Sequence, residues 1–305
     1  MSERSHIKTT QEARVSVILA PGFLTEPLTK RLLSNRKEIS GEVSKGDSEL
    51  PLEALDAFDP TKALDARAWR HEFSKMVDLD RCDVSCFDWA SQSLVELIAQ
   101  SAQLIYSHRA TLSLQMMDTL HAVGMKLYQT WREAIDQADS SVEPLYGMVA
   151  ARAEEAPHQP IYVVGHSLGA RIALRLAERL SERPVHAPVK ISAWAPAIDQ
   201  DELAWSTLRE LSDPPEVFYT QGDLVLKYLY KLGQSSLTGV KAIDMISLPI
   251  SLASKGRAVG LIGAGEMYPE GLQIDLGDTA IGHLTYLSEM PTVIGRSVYL
   301  NSIKR

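Results

Sequence analysis

The stretch 162–180, YVVGHSLGARIALRLAERL, places a serine between two glycines. Apolar, largely β-branched residues lead into it, and the residues beyond it recur at helical spacing. Leu168, Ile172, Leu176 and Leu180 share one face, which predicts burial. Arg171, Arg175, Glu178, Arg179 and Glu182 share the other, which predicts exposure. A strand that turns at once into a helix leaves little room at its corner, and Gly165 and Gly169 are small enough to flank it. The unpaired N–H groups and positive dipole end of the helix then face the side chain at the corner. In that setting GHSLG matches the Gly-x-Ser-x-Gly nucleophile elbow. The plainer alternative is a glycine-rich turn that only lets the helix pack on the sheet.

A serine hydroxyl is a weak nucleophile at neutral pH and needs a base, which a carboxylate must orient. The expected chain order is serine, acid, histidine. Two histidines follow Ser167. His186 precedes a strand, at the wrong end of a sheet. His283, in TAIGHLTYL, follows the last strand candidate at the expected start of a final helix, and is the candidate base. Asp223 ends PEVFYTQGD, at the carboxyl end of a strand, where open α/β sheets build their sites. It is the candidate acid. Asp199, in APAIDQ, ends the preceding strand in the same way and is the second choice; Asp275 and Asp278 lie just before His283. Any of these aspartates can also be an ordinary turn or cap residue. An oxyanion needs backbone donors. The Leu168 N–H, directly after the serine, is one candidate, and the Phe23 N–H, where Gly22 permits close approach, is the second. His166 points away from the serine and reads as packing or as a support behind the reacting residues; with Leu24, Met117 and Leu120 it completes a candidate substrate pocket.

Outward from the elbow, RVSVILAPGF (14–23), DVSCFDWA (83–90) and VKISAWAP (189–196) read as further strands. AVGLIGAG (258–265) and GLQIDLGD (271–278) are weaker strand candidates. PTKALDARAWRHEFSKMV (60–77) has helical spacing. Strands alternating with helices predict an α/β fold with a doubly wound, mostly parallel sheet, of the α/β-hydrolase type. The expected organisation is one domain over 1–305, with a core from 14 to 295 and a surface excursion at 27–62. A helical insert over 91–156 is far longer than the dozen or so residues a crossover needs. Its methionine-bearing apolar stripe can pack on the sheet, cap the site or form a dimer surface.

The 305 residues are 45% apolar, enough for a large core. A net charge of −8 and the lack of any long Lys/Arg block argue against nucleic acid as partner. No apolar stretch reaches the ~20 residues of a membrane-spanning helix, and residues 1–14 carry no signal-peptide core. Peripheral membrane contact and oligomer formation stay open. Cys82 and Cys86 fall on one face of a strand, too far apart along it to bridge, which fits free thiols in a reducing cytoplasm. His71, His108 and His121 lack an i, i+4 partner, so no metal site is expected. GLIGAGE (260–266) has glycines like a dinucleotide loop but no βαβ setting, so no cofactor is expected either.

GHSLGARIALRLAERL, YTQGDLVLKYLY and AIGHLTYL together resemble the transmembrane and coiled-coil domain-containing family of α/β-hydrolase-like proteins, over most of residues 14–295. ALDARAWRHEF is similar to a Leu-Arg-Trp-Glu segment of that group. The resemblance implies Ser167, Asp223 and His283 as a triad and favours Asp223 over Asp199. This chain has no membrane segment of the kind that family's larger members carry. The expectation is a serine hydrolase acting on a carboxylic ester, a lipid among the candidates. Thioesterase, amidase or acyltransferase chemistry on the same triad is the alternative, as is a non-catalytic binding protein that keeps the fold.

Overall fold

The structure is a computed structural model that describes residues 15–22, 66–89, 129, 131–223, 225–230, 258–277, 283 and 285–305. Six strands form one all-parallel sheet: β1 (Val15–Ala20), β2 (Cys82–Cys86), β3 (Ile161–His166), β4 (Val189–Trp194), β5 (Glu216–Tyr219) and β6 (Gln273–Asp275), in the order β2-β1-β3-β4-β5-β6. This α/β architecture is consistent with that of α/β-hydrolase-like proteins.

The order reverses once. The chain runs outward from β1 to β2, returns past β1 to β3, and then proceeds to β6. Right-handed crossovers on a sheet traversed in both directions fall on opposite faces. Helix α1 (Ala66–Met76), between β1 and β2, therefore covers one face; α2 (Val142–Glu155) and α3 (Leu168–Glu182) cover the other. α2 packs on α3, and the last helix, α4 (Met290–Arg296), packs on α1. Every residue of β1 and β3 is buried, as continuous apolar strands between two helical layers should be. α1 contributes Trp69 and Phe73, one helical turn apart, to the core. The strand order reverses between β1 and β3, and in open α/β sheets ligands bind at the carboxyl ends of the strands at such a point.

Of the expected insert, the described part is helical: residues 131–140, a turn at Ser141, then α2. Pro144 lacks the N–H that would bond the carbonyl of residue 140, which accounts for the break. Trp131, Ala134, Ile135 and Ala138 are buried. The excursion at 27–62 lies outside the described residues, as do Phe23, Leu24, Met117 and Leu120.

Three expectations need correction. AVGLIGAG is not a strand: Val259–Ile262 is a short helix, closed by the Gly263 N–H on the Val259 carbonyl at 2.8 Å. Its first N–H groups are taken by the loop after β4, Val259 to the Ile198 carbonyl and Gly260 to that of Pro196. A Cβ on Gly260 would stand 2.4 Å from the Ala195 carbonyl carbon, so the segment docks on that loop instead of joining the sheet. His283 does not begin the final helix, which starts at Met290 after a run of turns. Arg171 is not exposed. It is 2% accessible, because the 131–140 helix and the loop after β4 close over it, each bringing a carboxylate.

Candidate active site

Ser167 follows β3 and caps α3 with φ 57° and ψ −120°, one of two described non-glycine residues at positive φ. Such a backbone costs on the order of 1–3 kcal/mol and persists only where surroundings over-determine it. They do so here. The Ser167 N–H donates to the Trp194 carbonyl at 2.9 Å, and its own carbonyl accepts from Ala170, Arg171 and Ala197. The glycines serve close approach. A Cβ on Gly169 would lie 1.8 Å from the Ala20 carbonyl oxygen, and one on Gly165 2.4 Å from that of Gly169. β1 and the elbow thus meet backbone to backbone. Gly22, just beyond β1, faces the serine, where a Cβ would stand 2.8 Å from the Ser167 Cβ.

A row of hydrogen bonds leads from the hydroxyl. Ser167 Oγ lies 2.8 Å from His283 Nε2, and His283 Nδ1 lies 2.7 Å from Asp223 Oδ2. All three are buried, at 1%, 5% and 0% exposure, so no water competes for these bonds. The acceptor on Asp223 assigns the tautomer: Nδ1–H donates to the carboxylate, and Nε2 presents its lone pair to the serine O–H. Asp223 is itself held. Its Oδ1 accepts the Leu226 N–H at 2.9 Å and its N–H donates to Thr220, whose hydroxyl donates to the Gly277 carbonyl. The partners are 60 and 116 residues apart in the chain, and the sheet brings them together.

Asp199 lies elsewhere. Tyr230 hydrogen-bonds to its carboxyl, and its Oδ1 has no partner among the described residues. Burial, followed by Glu202 and Asp201, pushes its pKa up to about 6. Asp275 Oδ1 accepts from the Gly277 N–H, a turn contact at the end of β6. His186 sits at the amino end of β4, as expected. The Leu168 N–H, the first of α3, makes no hydrogen bond among the described residues.

His166 is the last residue of β3. Its ring stacks on Trp69 of α1, centroids 5.0 Å apart, and packs near His283 and Tyr286 at 5.0 and 5.2 Å. Burial, and then the neighbouring His283, push its pKa well below 6.5. No sequence signal singles out Trp69 or Tyr286 for this neighbourhood, since both read as ordinary core residues.

Behind the elbow, Arg171 makes paired contacts with Asp139 at 2.7 and 2.9 Å and with Glu202 at 2.7 and 3.1 Å. Burial works against its charge, but the two carboxylates outweigh it and hold the guanidinium protonated. The first turn of α3 is thereby tied to the 131–140 helix and to the loop whose Ala197 N–H supports Ser167. Among the described residues, Cys82 and Cys86 are free thiols, no His/Cys/Asp/Glu group could hold a metal ion, and no helix is long and apolar enough to cross a membrane.

The molecule is thus an α/β protein with a buried Ser–His–Asp row at the carboxyl edge of its sheet. The chain belongs to the family described as "Protein of unknown function (DUF726)", whose model matches residues 61–298. β1 and Gly22 precede the matched segment, although they form one wall of the elbow. No curated protein matches the chain.

Proposed function

We propose that this protein is a serine hydrolase of the α/β-hydrolase class that cleaves a carboxylic ester, with lipid esters among its candidate substrates. The observation that carries the reading is the continuous hydrogen-bond row Ser167–His283–Asp223, beginning at a positive-φ serine on a helix N-terminus. As Ser167 Oγ attacks the ester carbonyl carbon, its proton passes to His283 Nε2. Asp223 keeps Nδ1–H oriented and stabilises the imidazolium that forms. The Leu168 N–H and the α3 dipole face the oxyanion. Collapse of the tetrahedral intermediate expels the alcohol, which takes the proton from His283. Water then gives a proton to the same nitrogen as it attacks the acyl-serine, and on collapse Ser167 Oγ takes that proton back from His283 as the acid leaves.

The free cysteines are compatible with a reducing compartment, and the cytoplasm is the proposed location. A fluorophosphonate probe tests the reading without a guess at the substrate. Folded wild-type protein should label at neutral pH on Ser167, and Ser167→Ala should not label. Unlabelled, folded wild-type protein would overturn the proposal.

A further inference from the structure

The one residue between Gly165 and the serine has a polar contact that packing alone does not require. His166 Nε2 lies 2.9 Å from the main-chain oxygen of His283. A carbonyl only accepts, so the ring donates through Nε2–H and keeps its lone pair at Nδ1. Among the described residues this is the single hydrogen bond made by the backbone of His283. The donor is packed in place. His166 is paired in register with Trp194 across β3 and β4, is 7% exposed, and its ring packs against Trp69 and Tyr286. Gly22 leaves it room, since a Cβ there would come within 3.4 Å of Nδ1.

We propose that His166 is a positioning residue, whose ring N–H holds the main chain of His283 at a set distance from Ser167. The inference rests on the reading of Ser167 and His283 as nucleophile and base. His166 and Ser167 are consecutive residues on a rigid strand end, so the position of one dictates that of the other. A donor fixed at 166 therefore measures out where the base must stand relative to the hydroxyl at 167. The Asp223 bond aligns the imidazole from its far side, but it does not fix the backbone that carries the ring. The second tie, from His166, does. A displacement of about 1 Å in such an arrangement can cost on the order of a hundredfold in rate. The neutral state of the His166 ring serves the same end, because a cation 5.0 Å from His283 would oppose the imidazolium that catalysis forms.

Two substitutions separate positioning from packing. His166→Phe keeps a ring between Trp69 and Tyr286 but has no donor. His166→Gln gives up the ring and keeps an N–H at similar reach. Both are compared with wild type for fluorophosphonate labelling rate, for kcat and KM on a p-nitrophenyl ester, and for Tm. Positioning predicts that His166→Phe loses roughly ten- to a hundredfold in kcat with KM within about twofold, and that His166→Gln recovers most of the loss despite its poorer packing. Wild-type kcat in the Phe variant, or better activity in Phe than in Gln, would overturn the proposal. If both variants fail to fold, nitrogen chemical shifts of the wild-type protein decide: a neutral ring protonated at Nε2 supports the proposal, and a ring protonated at Nδ1 or at both nitrogens sinks it. Wild-type protein that does not label refutes the hydrolase reading itself, and the positioning role falls with it; a labelled wild type with an unimpaired Phe variant refutes the positioning role alone.

Discussion

Two carboxylates flank β5, Glu216 at its amino end and Asp223 just past its carboxyl end, and both have 0% exposure. Burial is therefore not what distinguishes them. Glu216 accepts from the Ser297 hydroxyl and from the Val298 and Tyr299 N–H groups, the first N–H at 2.8 Å. The Ser192 hydroxyl is a further partner, and the carboxylate anchors the C-terminal segment to the sheet. Asp223 accepts one backbone N–H and one imidazole N–H, and the imidazole carries the interaction on to a hydroxyl. What separates the two acids is the kind of partner, an imidazole for Asp223 and hydroxyl and backbone donors for Glu216.

Removing the serine or the histidine of the Asp223 row should have the largest effect. Ser167→Ala and His283→Ala are each expected to lower ester hydrolysis by ~10⁴-fold or more, because such residues act as a unit. The Tm of Ser167→Ala should stay within a few degrees of wild type, which differential scanning fluorimetry would check. Next, Asp223→Asn should cost ~10³- to 10⁴-fold in kcat by favouring the wrong imidazole tautomer, whereas Glu216→Gln should leave kcat within about twofold. Comparable losses in the two variants would break the distinction drawn here.

The converse holds for stability. Glu216→Ala strands the Ser297 and Val298 donors in a buried site and should cost about 2–4 kcal/mol in chemical denaturation. The specific activity of the protein that remains folded should not change.

Smaller effects arise from pH. Burial raises the Glu216 carboxyl above its ordinary value, against the pull of its hydrogen bonds. The native state thus holds this proton more tightly than the unfolded chain. The contribution is complete below about pH 4.3 and is lost as pH rises through the native value. His166 is the opposite case, with a native pKa pushed well below 6.5 by burial first. Its contribution is present above about pH 6.5 and is lost as pH falls toward the native value, by at most ~1.4 kcal/mol per pH unit. Between pH 6.5 and 5, His166→Phe should therefore show a shallower fall in Tm than wild type. An equal or steeper fall would mean that His166 is not held neutral. The smallest effect is expected at the exposed Lys75–Glu72 pair, where Lys75→Ala should change stability by about 0.5 kcal/mol or less.

The elbow and its surroundings were legible because their signals are local. Apolar runs into Ser167 and the four-residue recurrence of Leu168, Ile172, Leu176 and Leu180 reflect backbone periods that hold in any parallel sheet layered with helices. The same period misplaced Arg171, since a helical face is exposed only if nothing covers it. The 131–140 helix and Glu202 come from distant parts of the chain. AVGLIGAG likewise has a strand's composition, yet its first N–H groups pair with the loop after β4.

By itself the sequence determined the alternation of strands and helices, the corner at Ser167 and the order of candidate partners along the chain, because each depends on residues within a turn or two of one another. Only the tertiary structure decided which carboxylate meets His283. Asp199 and Asp223 both follow neighbouring strands that end at one edge of the sheet; the sequence ranks Asp223 first, but the contact itself appears only in the fold. The turn from Thr220 to Asp223 aims one carboxylate at the imidazole, while Asp199 turns to Tyr230. The partner of His166 was hidden for the same reason: the carbonyl it holds lies 117 residues away, and only strand order and register bring the two within a hydrogen bond.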